Sequence, residues 1–225
     1  MDKLIEKFQN WTYLETLPNR LHGFSLNVEQ RLDGVQYLLF SYYSEELDKH
    51  FSVFYDKATK EYIARWRHGL IEFCDVNFIS PNLETLEKLL VNRLQDAICC
   101  MAEFKPETLG SIFLGKKILE WPYACSLATD IQGFVLKINP TRPLKGINGS
   151  FIIIDYCNFS ERTNLLVYYN IYRDEFYGEL IFRSTPEMTT LFDSKTLPEL
   201  EEKLKTNLEP AISDLRRRLT SESNG

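Results

Sequence analysis

Two stretches of sequence decide the fold: LETLEKLLVNRLQDAI at residues 83–98 and LPELEEKLKTNLEPAI at residues 197–212. Aligned at an offset of 114 residues, the two stretches are identical at seven positions. In the first stretch the shared residues are Leu83, Leu86, Glu87, Leu90, Leu94, Ala97 and Ile98. The apolar members recur every three or four residues, which is the spacing of one face of an α-helix. The sequence therefore predicts the same long amphipathic helix twice.

The repetition extends upstream of both helices. The same offset pairs Tyr42 with Tyr156, whereas nearer the amino terminus the offset falls to 110. The change arises because the second copy contains four extra residues around 142–149. Self-similarity at one period indicates repeated structural units. We predict a tandem duplication, with one repeat at residues 1–110, another at residues 111–225, and a pseudo-two-fold axis relating them.

Each predicted repeat has the same order of elements. A short amphipathic helix is followed by four alternating segments of strand length and then by the long helix. Short connections favour antiparallel neighbours, so the fold class is α+β, with a helix–antiparallel sheet–long helix module of four to five strands. A fifth run at Leu70–Phe78 has no alternating counterpart in the second repeat. Pro210 lies within the second long helix, where a proline is expected to kink or break it.

The central strands carry apolar side chains on both faces. Phe51, Val53 and Tyr55 share one face of a predicted strand, and Phe54 lies on the other. In a sheet with one face in water, apolar and polar residues would alternate more regularly along each strand. One face can pack on the long helix, and the other needs a cover. The sister repeat, a second chain or a ligand would supply it, so we expect a monomeric pseudo-dimer or a homodimer.

Composition limits the classes of partner. The chain has 225 residues, with 26 Lys and Arg against 32 Asp and Glu, for a formal charge of −6. An acidic protein does not favour phosphate backbones, so no nucleic-acid partner is expected. No apolar run has the length of a membrane helix, and the amino-terminal residues lack the apolar centre of a signal peptide. We therefore expect a cytoplasmic protein that does not bind membranes.

The residues that usually carry catalysis or bind metals show no recognisable pattern. The histidines are His22, His50 and His68, and none recurs at the equivalent position of the other repeat. The five cysteines include no Cys-x-x-Cys spacing, which favours reduced thiols over a zinc site. The adjacent Cys99 and Cys100 could oxidise or bind a metal, but they are better explained as ordinary helix residues. The sequence predicts no catalytic residues, metal or cofactor, and an enzyme is the less favoured class.

Repeated aromatic and acidic residues are the candidate binding residues. The two Trp-x-Tyr motifs precede the first strand of each repeat; they either line a small pocket or, as we favour, fasten a helix onto the sheet. Within the strands, a glutamate recurs in both repeats and could pair with a neighbouring Arg or recognise a basic partner. The candidates are Trp11, Tyr13, Trp121, Tyr123, Tyr55, Tyr169, Glu61 and Glu175.

These features favour a non-enzymatic interaction protein of the adaptor, chaperone-like or immunity type. It would bind a protein partner through an aromatic sheet face or a groove between the repeats. The order of elements resembles that of secretion chaperones, which are small, acidic and bind polypeptides. It also resembles the duplicated saddle of the TATA-binding protein, although the acidity here argues against that function. The alternative is a small-molecule-binding protein with a cavity between the sheet and the long helix.

Overall fold

The computed structural model describes residues 2–222, which form two compact units: unit 1 runs to Lys105, and unit 2 begins at Pro106. Unit 1 begins with two short helices, continues through seven strands and ends with a long helix. Its helices are α1 (Asp2–Gln9), α2 (Tyr13–Thr16) and α3 (Leu83–Ala102). Its strands are β1 (Arg20–Leu21), β2 (Phe24–Asn27), β3 (Arg31–Asp33), β4 (Gln36–Ser44), β5 (Lys49–Asp56), β6 (Glu61–His68) and β7 (Ile71–Ser80).

Unit 2 repeats this order of elements. Its helices are α4 (Ser111–Gly115) and α5 (Leu197–Glu222), and three short 3-10 helices lie at Pro106–Leu109, Ile118–Glu120 and Pro122–Ser126. Its strands are β8 (Asp130–Ile131), β9 (Phe134–Ile138), β10 (Leu144–Lys145), β11 (Ser150–Asn158), β12 (Thr163–Asn170), β13 (Glu175–Phe182) and β14 (Thr185–Ser194).

The two sheets have the same topology. The strand order is β1-β2-β4-β5-β6-β7 in unit 1 and β8-β9-β11-β12-β13-β14 in unit 2. A short strand, β3 or β10, pairs beside β4 or β11, and all neighbours are antiparallel. The predicted α+β class and the duplicated sheet–helix layout are confirmed. Each sheet has seven strands rather than the predicted four to five, because the shortest strands are too short to give an alternating pattern in the sequence.

Two irregularities in strand pairing are repeated as well, whereas the shift at Asp155/Tyr156 in the β9–β11 pair has no counterpart in the β2–β4 pair. The β4–β5 register shifts between Leu38 and Phe40, and the β11–β12 register shifts 114 residues later, between Ile152 and Ile154. The β6–β7 and β13–β14 pairs also shift at equivalent positions. Each bulge bends its strand and increases the local twist. The two backbones therefore agree at a level of detail that hydrophobic patterns alone do not specify.

Two expectations were wrong: the lack of a counterpart for the fifth run, and a break of the second long helix at Pro210. The fifth run does have a counterpart, because β14 occupies the position equivalent to β7. The apolar–polar alternation of β14 is weak because β14 is an edge strand and apolar residues such as Met188 and Leu191 are exposed. The second long helix is not broken, because α5 continues through Pro210 to Glu222. The proline ring is exposed, and the buried leucines on either side of it keep both halves of the helix packed.

The core of unit 1 consists of the apolar face of α3 and the aromatic side chains of the sheet. Buried α3 residues are Leu83, Leu86, Leu90, Leu94, Ala97, Ile98 and Met101. Burying a leucine side chain contributes roughly 1.5–3 kcal/mol, so this face dominates the stability of the helix. Asn82 caps the helix, because its side-chain oxygen accepts a hydrogen bond from the Thr85 amide at 2.8 Å.

Candidate functional site

The two Trp-x-Tyr motifs lie in equivalent positions and make equivalent contacts. In unit 1 the Trp11 and Tyr13 rings are 5.2 Å apart, and the Trp11 Nε1–H donates to Glu87 Oε2 on α3 at 2.7 Å. In unit 2 the Trp121 and Tyr123 rings are 5.3 Å apart, and the Trp121 Nε1–H donates to Oε2 of Glu201 on α5 at 3.1 Å. Each motif therefore joins the segment before the sheet to the long helix.

Burial keeps these tyrosine hydroxyls protonated. Burial, with a smaller contribution from the Glu87 carboxylate, raises the pKa of Tyr13 to about 12. The pKa of Tyr123 is also raised, chiefly by burial. A phenol with a raised pKa does not act as a base near neutral pH. The motifs consequently offer aromatic surface and hydrogen-bond donors rather than acid–base chemistry.

In unit 2 the tryptophan of the motif lines an open groove of about 320 Å³. The groove is lined by Trp121, Pro122, Leu197, Pro198, Glu201 and Glu202, and we call it the Trp121 groove. Pro122 begins a 3-10 helix and Pro198 lies in the first turn of α5. Proline is tolerated there because the amides of a first turn have no partner within the helix. The lining is therefore rigid and mostly apolar.

The two charged residues lining the Trp121 groove are both carboxylates. Lys205 Nζ lies 2.8 Å from Glu201 Oε1 and 3.3 Å from Glu202 Oε1, so one lysine faces two acids. The hydrogen bond from Lys205 lowers the pKa of Glu201, with further lowering from the Trp121 indole N–H. Both effects keep Glu201 ionised near neutral pH. The groove keeps a net negative charge after Lys205 is counted.

The equivalent positions of unit 1 carry different charges. Glu84 stands in place of Pro198, and Lys88 stands in place of Glu202. Lys7 Nζ forms an ion pair with Glu84 Oε1 at 3.0 Å, joining α1 to the first turn of α3. The tryptophan and the glutamate that accepts its hydrogen bond are thus repeated, whereas the two prolines and the second carboxylate, Glu202, belong to unit 2.

The candidate tyrosines of the strands lie on the core side of their sheets. Tyr55 packs with its ring 5.6 Å from that of Phe8. Tyr169 is 1% exposed, and its hydroxyl donates to Asp174 Oδ1 at 2.9 Å. In unit 1 the buried residues of α3 and of the sheet belong to one hydrophobic core cluster. The binding roles of these tyrosines, and a ligand cavity under the helix, stay predictions without support from these contacts.

The two candidate glutamates differ in their surroundings. Glu175 forms ion pairs with Arg173 Nε at 2.6 Å and with Lys195 Nζ at 2.9 Å. The Lys195 hydrogen bond is the main cause of its lowered pKa. Glu61 lies opposite Asp56 in the β5–β6 pair. Glu175 is thus occupied by neighbouring cations, and a role in partner recognition stays a prediction for both residues.

The structure also contains a buried acid that the sequence analysis missed. Asp155 of β11 is fully buried, and Asn164 Nδ2 donates to its Oδ1 at 3.2 Å. Among the described residues, Asp155 Oδ2 and Asn164 Oδ1 have no hydrogen-bond partner. Burial raises the pKa of Asp155 to about 7, although Asn164 and Lys137 oppose the change. The lone acid in the apolar run 151–157 was the sequence signal for it.

A second missed group comprises three side chains that commonly bind metals. The ring nitrogens of His22, the thiol of Cys99 and the carboxylate of Glu103 each provide an atom, and these atoms lie within 4.8 Å of one another. His22 and Cys99 are 77 residues apart in the chain, so no local motif could reveal the group. Zn²⁺ accepts nitrogen, sulfur and oxygen ligands of these three kinds.

None of the helices within residues 2–222 combines the length and the apolar character that crossing a membrane requires. Comparison of the chain with family models, curated proteins and solved structures gave no match. The candidate sites are therefore defined by their own geometry and chemistry.

Proposed function

We propose that this protein is a non-enzymatic protein-interaction module of the adaptor, chaperone-like or immunity type. Its binding site is the Trp121 groove, and its ligand is a segment of a partner protein in which an apolar side chain is flanked by Lys or Arg. The observation that carries the proposal is the combination of a rigid apolar lining with two carboxylates, Glu201 and Glu202.

The size of the groove suits a single side chain better than a large cofactor. Its volume of about 320 Å³ is at the lower end of the roughly 300–1,000 Å³ typical of small-molecule pockets. The groove is open, so an extended segment can enter without the protein unfolding. Trp121, Pro122 and Pro198 lose little conformational freedom on binding, which lowers the entropic cost of association.

The charge of the groove selects the flanking residues of the partner. A Lys or Arg beside the inserted apolar residue would reach Glu201 or Glu202 and complete the pairing that Lys205 supplies only in part. Such complementarity favours specificity and a fast association rate. The overall charge of −6 also favours the approach of basic segments.

Peptide display against the immobilised full chain tests the proposal. We expect the selected peptides to combine an aromatic or aliphatic residue with neighbouring Lys or Arg. Glu202→Lys gives the groove the charge of the equivalent unit 1 residue, Lys88. It should weaken binding of labelled peptides, measured by fluorescence anisotropy, by about tenfold or more because repulsion replaces attraction.

Glu46→Lys is the charge-matched control. Glu46 is exposed in unit 1, and its replacement by Lys changes the net charge by the same amount as Glu202→Lys. It should leave peptide affinity within about twofold, since screening weakens distant charges. Selected peptides without any excess of Lys or Arg would contradict the proposal. An equal loss of affinity in both variants would assign binding to overall charge and overturn the assignment of the groove.

A further inference from the structure

Three side chains from distant parts of the unit 1 sequence meet beside the end of α3. They are His22, Cys99 and Glu103, with ligand atoms within 4.8 Å of one another. We propose that this His22–Cys99–Glu103 cluster binds one Zn²⁺ ion. The inference is independent of the Trp121 groove, which belongs to unit 2.

The fold supplies each ligand for a structural reason. His22 lies in the tight turn between β1 and β2, with a φ of 47°, and Gly23 follows with a φ of 85°. The turn is held by pairing of Leu21 with Phe24. Cys99 and Glu103 are four residues apart at the carboxyl end of α3, where the Glu103 amide donates to the Cys99 carbonyl at 2.9 Å. Residues spaced by four lie on the same side of a helix.

The ligand set has the chemistry of a zinc site. One thiolate, one imidazole and one carboxylate match the mixed sulfur, nitrogen and oxygen ligands that Zn²⁺ accepts. The thiolate and carboxylate together neutralise the dication. In a tetrahedral site, ligand atoms lie roughly 3.5 Å apart, so small rotations of exposed side chains close the observed spacing. His22 and Glu103 are exposed, which gives the ion a route of entry and leaves the fourth position to water.

A cationic group already approaches two of the three ligands. Lys105 Nζ lies 3.4 Å from Cys99 Sγ and 3.4 Å from Glu103 Oε2. The ammonium group thus already makes polar contacts with both the thiol and the carboxylate of the cluster. A bound Zn²⁺ would displace the Lys105 ammonium group, so this lysine competes with the metal.

Unit 2 provides a natural comparison for the same position. The equivalents of the three ligands are Gln132, Ser213 and Arg217. Gln132 keeps a φ of 54° in the same turn, and its Nε2–H donates to Ser213 Oγ at 2.7 Å. Arg217 forms an ion pair with Asp214. The turn therefore forms with Gln132, and α5 continues through Ser213 and Arg217 to Glu222, so the ligand set of unit 1 is not required to build the turn or the long helix.

Zinc titration of the untagged, reduced full chain tests the proposal, with calorimetry and competition against a chromophoric chelator as readouts. We expect saturable binding of one equivalent. His22→Gln, Cys99→Ser and Glu103→Arg each install the unit 2 residue and should weaken binding by about 10–100-fold or more, because even outer-sphere partners of a metal contribute that much. Lys105→Met should tighten binding by about tenfold, since a competing positive charge is removed.

Cys100→Ser is the matched control, because Cys100 is the neighbouring exposed cysteine, and it should bind Zn²⁺ like the unaltered chain. Co²⁺ provides a second readout: the thiolate-to-metal absorption should appear in the unaltered chain and in Cys100→Ser and disappear in Cys99→Ser. Far-UV circular dichroism checks that each variant is folded. The proposal is overturned if the unaltered chain shows no saturable Zn²⁺ binding, or if folded Cys99→Ser and His22→Gln bind as tightly as it does.

Discussion

Unit 1 and unit 2 have the same strand order and share two bulges but differ in the side chains that could carry function. The hydrogen bond between tryptophan and glutamate recurs in both units. By contrast, the His22–Cys99–Glu103 cluster occurs only in unit 1, where the three equivalent unit 2 residues are Gln132, Ser213 and Arg217. The acidic rim formed by Glu201 and Glu202 belongs to unit 2.

The comparison separates the residues that build the fold from those free to acquire chemistry. The apolar positions on the buried faces of α3 and α5 agree, as do the tryptophan and glutamate that join the long helix to the segment before the sheet. The residues of the two proposed sites differ, and so do two core positions, Ser41/Asp155 and Ala64/Gly178. Because each unit is a structural control for the other, exchanging residues between equivalent positions tests stability and function separately.

The largest expected effect tests whether the two cores are equivalent. Leu86 and Leu200 occupy equivalent positions, and both are fully buried. Leu86→Ala and Leu200→Ala should each lower the free energy of unfolding by about 2–5 kcal/mol, because each leaves a cavity. Urea denaturation measures the loss, and Val91→Ala, at an exposed position on α3, should change it by less than about 0.5 kcal/mol. A large loss from only one leucine would break the equivalence.

Asp155 should make the stability of unit 2 depend on pH, whereas the equivalent residue in unit 1, Ser41, does not titrate. The pKa of Asp155 is raised from 3.8 to about 7 in the folded chain. The folded state therefore holds a proton that the unfolded state releases between about pH 4 and pH 7, so stability falls as pH rises through that window and levels off above it. Ionisation of Asp155 therefore lowers the stability of the folded chain.

Asp155→Asn removes the ionisable group and should raise the free energy of unfolding by about 2–4 kcal/mol at pH 8. The advantage should shrink towards pH 4, where the carboxyl group is protonated in both states. Denaturant unfolding across this pH range measures the difference. A variant that is no more stable than the unaltered chain at pH 8 would show that the Asp155 carboxylate is satisfied when ionised.

Gly178 of unit 2 is equivalent to Ala64 of unit 1. Replacing Gly178 by Ala tests whether a core residue of one unit can be accommodated in the other. A Cβ at Gly178 would lie 2.6 Å from Phe192 Cδ2 and 2.9 Å from Thr189 Cγ2. Gly178→Ala should therefore lower the free energy of unfolding by about 1–3 kcal/mol through overpacking, as measured by thermal unfolding. An unchanged stability would mean that the Phe192 ring repacks without cost and that the two positions are interchangeable.

The smallest expected effect concerns a buried hydrogen bond that both units share. Tyr42 Oη donates to the Pro18 carbonyl at 2.8 Å, and Tyr156 Oη donates to the Ala128 carbonyl at 2.7 Å. Tyr42→Phe and Tyr156→Phe should each lower the free energy of unfolding by about 1 kcal/mol, because each leaves a carbonyl without its donor. Equal losses in chemical denaturation would sharpen the comparison, whereas a loss in one unit alone would show different packing of the two loops.

Pro210 shows where local rules failed. A proline inside a helix costs about 3 kcal/mol or more, and on that basis a kink or break was expected. The helix continues because Leu204, Leu208, Ile212 and Leu215 are buried on either side of the proline. Burial of several such side chains outweighs the lost backbone hydrogen bond. Tertiary packing thus overrode the local preference.

The sequence by itself determined the α+β class, the duplicated layout and the two long helices, because periods of two and about 3.6 residues are local signals of strands and helices. Only the tertiary structure brought His22 to Cys99 and placed Trp121 beside Glu201 and Glu202. These contacts join residues far apart in the chain, and their geometry depends on strand register, turn conformation and helix docking. No spacing rule encodes those quantities, so the candidate sites became visible only when the chain was folded.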